Sequence, residues 1–479
     1  MNIEWPIVVA ISKACPEPCC ILMLDTTKFD SSENCKLCGT CLSSCPVLNF
    51  EEDKAIAEKQ RLNSGQSSMV LEKCTTCLSC DLYCPNGFDP YELILLRWNE
   101  RYQEKGLPAL ARMVIPEDPV SIWRQLYPLM PPDEQELIKN WRIRSGKSGK
   151  DILLTGCFSA FSPYLTMTPL LADLTPYGDE RNWCSGGHIY QLGLLDVVDQ
   201  VGSRLQAVFN ELRPKRVVTM MAAEYAMLGK ILPQRFNISF DFEVVPLEHY
   251  LLDMLRNGQL KLSCRVNKRV AIHDNCFSKA AGDAVWSPVR ELVQACGVTI
   301  VEMQHNKENA LCCGFGAAAG RFDLFDLVEQ GKKRLGEAED TGAEYLIVYC
   351  AACYFIFSVV RELVGSKLEI YHILELLDLA EGRQPLHRTR KRAFNIIAIM
   401  SANITRMLLQ SSARHRFKID PATIQGTPGS ADVDFKADRL CVLYNNFLNN
   451  PVMQNPFTLS ILTALVRLAL AGRRRFSHD

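Results

Sequence analysis

The sequence predicts a multidomain α+β chain: a helical, cysteine-rich module near the amino terminus, two α/β lobes, and a helical extension at the carboxyl end. Three observations carry that prediction. Residues 35–85 hold two copies of the run C-x2-C-x2-C-x3-C-P. Residues from about 150 to 380 alternate short β-branched runs with amphipathic stretches, and the pattern occurs twice in the same order. Beyond residue 385 the chain turns basic, apolar and helix-compatible. A length of 479 residues suits about three domains rather than one core.

Composition narrows the class. The 53 Lys and Arg nearly balance the 54 Asp and Glu, so no global field points to nucleic acid. No stretch reaches the roughly 18 apolar residues of a membrane span. Twenty-one cysteines would suggest disulfides in a small secreted protein, but here the chain is long, opens without a charged segment followed by a long apolar one, and spaces its thiols as metal ligands. A cytoplasmic protein is expected.

In the first module the runs are Cys35, Cys38, Cys41, Cys45 with Pro46, and Cys74, Cys77, Cys80, Cys84 with Pro85. Three cysteines at steps of three wrap one cubane, and the fourth reaches the other cluster in two-cluster ferredoxins. The expected sets are therefore Cys35, Cys38, Cys41 with Cys84, and Cys74, Cys77, Cys80 with Cys45, each holding a [4Fe–4S] cubane. Zinc is the alternative occupant of such cysteines. Between the runs, EEDKAIAEKQRL and MVLEKC read as helices rather than a ferredoxin hairpin. Cys15, Cys19 and Cys20 lie outside the pattern and lack a fourth partner, so they are expected to be structural or incidental. Residues 86–150 read as helices broken by prolines, a connector ending near 145 at RSGKSGK.

The two lobes can be laid over one another. In the second, RVAIHDNC ends at Cys276, CCGFG carries Cys312 and Cys313, and YLIVYCAACY carries Cys350 and Cys353. In the first, DILLTGC ends at Cys157, WCSGG carries Cys184, and VVTMMAAEY follows. Ser185 replaces the second cysteine of the doublet, and Met221 and Glu224 stand where Cys350 and Cys353 do. His249 and His372 read as a matching pair in the trailing element. Strands are expected near 151–155, 215–219, 269–273, 298–302 and 344–348, with ligands at the carboxyl ends of parallel strands. Cys157 and Cys184 alone cannot hold a four-iron cluster; residual pairing, a thiol lining a cleft and a buried remnant all remain open.

The five cysteines Cys276, Cys312, Cys313, Cys350 and Cys353 suit a cluster better than tetrahedral zinc, because adjacent thiolates can bridge two irons but do not easily share one. The set, with Gly314 after the doublet, resembles the CCG domain of heterodisulfide reductases. That resemblance implies that all five thiolates hold one non-cubane [4Fe–4S] cluster at which a disulfide is opened. It covers roughly residues 30–380 and is closest to the fused C/B architecture of the D-type subunit, a helical dicluster ferredoxin-like domain followed by two CCG lobes. The implied division is 1–29, an amino-terminal segment; 30–100, the dicluster domain; 101–147, a helical connector; 148–262, a degenerate CCG lobe; 263–384, an intact CCG lobe; and 385–479, a basic amphipathic helical extension.

Around the intact set, His273 leads into Cys276, while His305 and Lys307 lie in the polar run before the doublet. These are the candidate catalytic residues: they could orient thiolates, tune the cluster by hydrogen bonds, or protonate a departing thiolate. Solvated loop residues are the alternative. In the extension, RTRKRAFNIIAIMSANITRMLL and PFTLSILTALVRLALAGRRRF are too short or too interrupted, by Arg406 and Arg467, to span a bilayer; they are expected to pack on the lobes, to lie on the inner face of the membrane or to dock to a membrane subunit.

Three clusters in a row make a wire ending at a thiol or disulfide. Low-potential ferredoxin clusters lie near about −400 mV and many protein dithiols near about −270 mV, a gap worth roughly 6 kcal/mol for two electrons, which permits reduction without fixing the direction. The expected substrate is a small thiol or disulfide, or a dithiol protein. The expected redox partners are a cytochrome b-like membrane subunit, a flavoprotein or a ferredoxin. Two other readings compete: the iron–sulfur subunit of a 2-hydroxyacid or glycerol-3-phosphate oxidoreductase feeding quinone, and a pure electron relay. No flavin or nicotinamide fingerprint occurs in the chain.

Overall fold

The computed structural model describes residues 24–464, apart from 31, 33–34, 117, 119–120, 142–150, 179–183, 317–323, 410–415, 420–437, 456, 459 and 462–463. Cys15, Cys19, Cys20, the break near 145, Arg467 and the last arginines lie outside the described residues.

The strands, in chain order, are β1 (Leu107–Pro108), β2 (Ile152–Leu154), β3 (Thr175–Tyr177), β4 (Arg216–Thr219), β5 (Glu243–Pro246), β6 (Arg269–His273), β7 (Thr299–Ile300), β8 (Tyr345–Val348), β9 (Glu369–His372) and β10 (Arg416–Phe417). They form two four-stranded parallel sheets, ordered β3-β2-β4-β5 and β7-β6-β8-β9, and one antiparallel ribbon of β1 with β10. The fold is thus mixed helix and parallel sheet. The two sheets have the same strand order and the same kind of register: Leu154 sits opposite Thr219 as His273 sits opposite Val348. Fully buried β-branched and leucine side chains, such as Leu153, Val218, Ile272 and Ile347, explain the near-continuous apolar runs.

The repeat fixes where the ligand-type residues emerge. Cys157 lies three residues past the end of β2, and Cys276 three past the end of β6. Met221 and Cys350 each sit two residues past β4 and β8, as the N-caps of helices Ala222–Ala226 and Ala351–Val364. The trailing histidines do not correspond. His372 is the N-cap of helix Ile373–Ala380, a position that Pro246 holds before helix Leu247–Arg256. His249 lies three residues further on and matches Glu375; two amphipathic helices that each carry a histidine allow that slip in sequence.

Ahead of the lobes, the segment between the cysteine runs forms helices Glu52–Asn63 and Val70–Lys73, followed by helix Pro90–Lys105. Helix Thr389–Leu409, the first of the extension, is part of the core. Phe394, Ile396, Ala398 and Ile399 are at most 2% exposed, and the helix packs against Ala351–Val364, Ile122–Leu126 and Arg439–Leu448. Arg388 donates to Asp133 at 2.8 Å and to Glu134 at 2.7 Å, and Arg392 pairs with the buried Glu134. Of the expected alternatives, this first basic segment packs on the lobes, and Arg388 and Arg392 answer a buried carboxylate of the connector. Among the described residues no helix is long and apolar enough to cross a membrane.

Candidate metal centres

Each cysteine run opens with a C-x2-C-x2-C loop that bends in the same way. Leu37 and Thr76, the residues before the second cysteine, have φ of 54° and 55°; Gly39 and Leu78, the residues after it, have 72° and 61°. A leucine or threonine in the left-handed region is held there against steric cost, and the bend turns successive thiols inward. Cys35, Cys38, Cys41 and Cys84 line one cavity together with Lys59, which is 2% exposed. Burial pushes the Cys41 thiol up to about 11, and the Lys59 charge acts against it. Cys38, the exposed member, accepts a hydrogen bond from Thr40 Oγ1 at 3.4 Å.

Cys84, the fourth cysteine of the second run, lines the cavity of the first run's Cys35, Cys38 and Cys41, and Cys45, the fourth of the first run, interacts electrostatically with Cys77 of the second. Burial lifts Cys45 to about 11, with Cys77 adding to the rise. Burial also acts to raise Cys77, but Lys279 and hydrogen bonds with Ser79 reverse the outcome and favour its thiolate. Lys279 comes from the second lobe, just beyond Cys276. Its 3%-exposed side chain donates to the carbonyl of Cys77 at 2.9 Å, to Ser79 Oγ at 2.7 Å and to the carbonyl of Ala310 at 2.7 Å. One buried ammonium thus joins the dicluster loop to the segment that leads to the cysteine doublet.

The five second-lobe cysteines converge on one cavity. Cys276 enters on the turn past β6. Cys350 and Cys353 straddle the start of helix Ala351–Val364, and hydrogen bonds with Cys313 and Cys350, then burial, raise the Cys353 thiol well above its ordinary value. Cys312 and Cys313 precede Gly314, which takes φ 113° and packs so closely on the Leu327 carbonyl that a Cβ would collide with it. Hydrogen bonds from Cys312 and Cys353 hold Cys313 well below the usual thiol range. Burial, reinforced by Cys313 and Cys350, pushes Cys276 up to about 12. Five thiols this close, in opposed protonation tendencies, form a donor set suited to a multi-iron cluster.

The same cavity is lined from its other side by Cys157, Cys184, His188, Gln191, Met221 and Glu224. The carboxyl ends of both sheets therefore open onto one space. Cys157 Sγ, Cys184 Sγ and His188 Nδ1 lie within 4.8 Å of one another, all buried. Glu224 replaces the last cysteine of the repeat. Its Oε2 accepts the Met221 amide at 2.8 Å, and burial, with Cys350 and Cys184 nearby, keeps its carboxyl protonated well above the usual range.

The dicluster loop touches this cavity directly. Gln191 Nε2 donates to the Thr76 carbonyl at 2.9 Å and to Cys276 Sγ at 3.3 Å. A Cβ on Gly316 would collide with Thr76, so that backbone approach requires glycine.

None of His273, His305 and Lys307 is among the cavity-lining residues. His273 is 1% exposed and its Nδ1 accepts from Arg334 Nε at 3.2 Å; burial and then the charge of Arg334 keep it neutral. His305 Nδ1 contacts Glu337 at 2.5 Å, and its carbonyl accepts from Arg334 at 2.5 Å. Lys307 has φ 50° and binds Asp274 through its backbone amide at 2.8 Å, with its ammonium 3.8 Å from Asp283. Asp274 is gripped in turn by Arg290 at 2.9 and 3.1 Å and by Tyr349 at 3.0 Å. The three candidates thus brace the segments that carry Cys276 and the doublet. A separate cleft lined by Asp151, Asp173, Lys215, Arg216 and Glu243 lies at the amino ends of the first sheet's strands, away from all of these thiols.

Comparison with known proteins agrees with the two cysteine-rich regions. A 4Fe–4S dicluster domain matches residues 27–85, and a cysteine-rich domain of the CCG family matches residues 270–358. The D-type subunit of dihydromethanophenazine:CoB–CoM heterodisulfide reductase from Methanosarcina barkeri is 24% identical over 391 residues, spanning 73% of this chain and 93% of that protein. The B-type subunit of a fumarate reductase (CoM/CoB) from Methanothermobacter marburgensis is 24% identical over 380 residues, 74% of this chain and 73% of that protein. An EtfAB:quinone oxidoreductase from Syntrophomonas wolfei is 22% identical, covering 73% of this chain and 57% of that protein. With a dicluster domain, a CCG domain and heterodisulfide reductase relatives matching along most of its length, the chain is a heterodisulfide reductase-like iron–sulfur oxidoreductase protein.

Proposed function

We propose that this chain moves electrons singly through two [4Fe–4S] cubanes to a non-cubane [4Fe–4S] cluster, at which a disulfide is opened or, in reverse, formed. Cys35, Cys38, Cys41 and Cys84 hold the first cubane, and Cys45, Cys74, Cys77 and Cys80 the second. Cys276, Cys312, Cys313, Cys350 and Cys353 hold the third centre. These clusters supply one-electron storage at potentials tuned by charge and hydrogen bonds around their sulfurs. The observation that carries the reading is the shared cavity, with five thiols on one wall and the residues 74–80 loop against it through Gln191 and Gly316.

The chain's own groups divide the remaining work. Exposed Cys38 gives a donor an approach to the first set. Lys59 and Lys279 place one buried positive charge beside each ferredoxin set, offsetting accumulated negative charge. Opening R–S–S–R′ to two thiols consumes two electrons and two protons. Glu224 lines the cavity with Oε2 engaged by the Met221 amide, so Oε1 carries its proton and can deliver it to a departing thiolate. His273, His305 and Lys307 act as positioning residues through Arg334 and Asp274. Redox partner proteins are expected to dock here; exposed Leu443, Phe447, Val452 and Phe457 give the carboxyl-terminal end an apolar surface for one of them.

A second reading, transfer toward quinone without substrate at the third centre, is supported by the quinone oxidoreductase relative. The test is spectroscopic. Oxidising the protein with a substrate thiol present should produce a paramagnetic signal, broadened by magnetic labelling of the thiol sulfur and missing from Cys313→Ala. An identical spectrum with and without every thiol tried would favour the relay.

A further inference from the structure

The first lobe has lost three of the five cysteine positions, yet the two that remain have acquired a partner. His188, four residues past Cys184 in helix Gly187–Gln191, turns its Nδ1 to within 3.8 Å of Cys184 Sγ and 4.0 Å of Cys157 Sγ. Two thiolates and one imidazole nitrogen around a tetrahedral zinc ion stand about 3.5–3.8 Å apart, given metal bonds of about 2.3 and 2.0 Å. The observed spacings therefore need only a small contraction.

The surroundings fix the donors. His188 Nε2 donates to the Val114 carbonyl at 3.0 Å, which places the proton on Nε2 and leaves the Nδ1 lone pair toward the two sulfurs. The ring stacks on Trp123 at 5.8 Å and meets the edges of Phe158 and Phe315 at 5.5 and 6.2 Å, so it has no room to turn. Trp123 Nε1 in turn donates to the Cys157 carbonyl at 2.7 Å, and the Gly186 amide donates to Cys184 Sγ at 3.3 Å. Such outer partners are what ligand histidines and thiolates require.

Ser185 and Met221, at two of the lost positions, offer no thiolate, so the set cannot hold a four-iron cluster. All three donors line the cavity that the five second-lobe cysteines share. A fourth coordination position would face that space, the pattern of a zinc site that binds substrate rather than one closed for structure.

We propose that Cys157, Cys184 and His188 hold one divalent zinc-class ion whose open position takes a thiolate in the shared cavity. A thiol RSH that replaces water there binds as RS⁻ and releases one proton to solvent. The metal site itself is independent of the disulfide chemistry proposed above; only its thiol ligand rests on that reading.

Metal analysis of the full chain, purified anaerobically with its iron, tests both parts. Zinc should be present at about one ion per chain and should be lost in Cys184→Ser and His188→Ala while iron is unchanged. His188→Cys should keep it. Cobalt(II) supplied in place of zinc should give a thiolate-to-cobalt charge-transfer band that shifts on adding 2-mercaptoethanol. Retained iron in each variant shows that the fold has survived. Absence of zinc and cobalt from the wild-type chain, or loss of iron in step with zinc in the variants, would overturn the site. A cobalt band indifferent to the thiol would overturn its open position. Failure of the thiol-dependent signal at the five-cysteine centre, with zinc and the shifting cobalt band retained, would instead remove the disulfide reading and leave this one.

Discussion

The two lobes share a strand order and place the same positions around one cavity, but one presents five thiols and the other two thiols, an imidazole and a carboxylic acid. The difference teaches that scaffold and chemistry diverge separately. Parallel strands and their following turns were kept because they form the core, while the side chains at the strand ends, free of packing constraints along the sheet, changed. A loss of ligands on one side therefore need not empty the cavity. It leaves an acid, Glu224, and a three-donor cluster facing the intact set.

The comparison can be broken most severely by removing what supports the second lobe. A chain ending at residue 385 loses helix Thr389–Leu409 from beside Ala351–Val364. Its four large buried side chains, Phe394, Ile396, Ile397 and Ile399, contribute on the order of 2 kcal/mol each, rivalling a typical net stability of about 5–15 kcal/mol. The truncated protein should aggregate and lose iron from the second lobe. Soluble, iron-replete protein after truncation would return this helix to a peripheral role.

Lys279, three residues past Cys276, has only Ala160 at the matching place past Cys157. Replacing it by methionine leaves the Cys77 and Ala310 carbonyls and Ser79 without their shared donor, and should destabilise the chain by about 2–4 kcal/mol. Loss of the positive charge should also move the midpoint potential of the adjacent cubane downward in a redox titration. An unchanged potential for both cubanes would mean that the ammonium is purely structural.

A third effect, set by pH, concerns a buried carboxyl. Glu248 is the second residue of its helix, where the second lobe has Leu374, and burial raises it to about 7. Since its unfolded value is near about 4.3, folding carries no penalty from it in acid. The penalty grows as pH rises from there to about 7 and is complete above, reaching roughly 4 kcal/mol. Glu248→Leu should therefore stabilise the protein more at pH 8 than at pH 4, read from thermal melts. An equal gain at both values would show that packing alone decides.

Much of this was legible because cysteine spacing is a local property. The C-x2-C-x2-C runs announce their own loops, and the repeat of strand, turn and helix places Cys157 against Cys276 and Met221 against Cys350. What escaped depends on long-range burial. His188 reads as an ordinary histidine until the fold brings Cys157, 31 residues away, beside it. Lys279 is one cation among 53, and only its burial between two domains singles it out. Nearness in sequence to ligands singles out His273, His305 and Lys307, but His273 faces Arg334, His305 faces Glu337 and Lys307 faces Asp283, and none lines the cavity. The apolar, basic helix Thr389–Leu409 looks like an interfacial helix because its salt-bridge partner, Glu134, lies 254 residues from Arg388.

The most direct test of the account is the iron content of anaerobically purified chain beside that of Cys313→Ala. Three four-iron centres predict about 12 iron atoms in the wild type and about 8 in the variant, with the two cubanes intact. About 8 in both would contradict the central claim and leave a dicluster electron carrier.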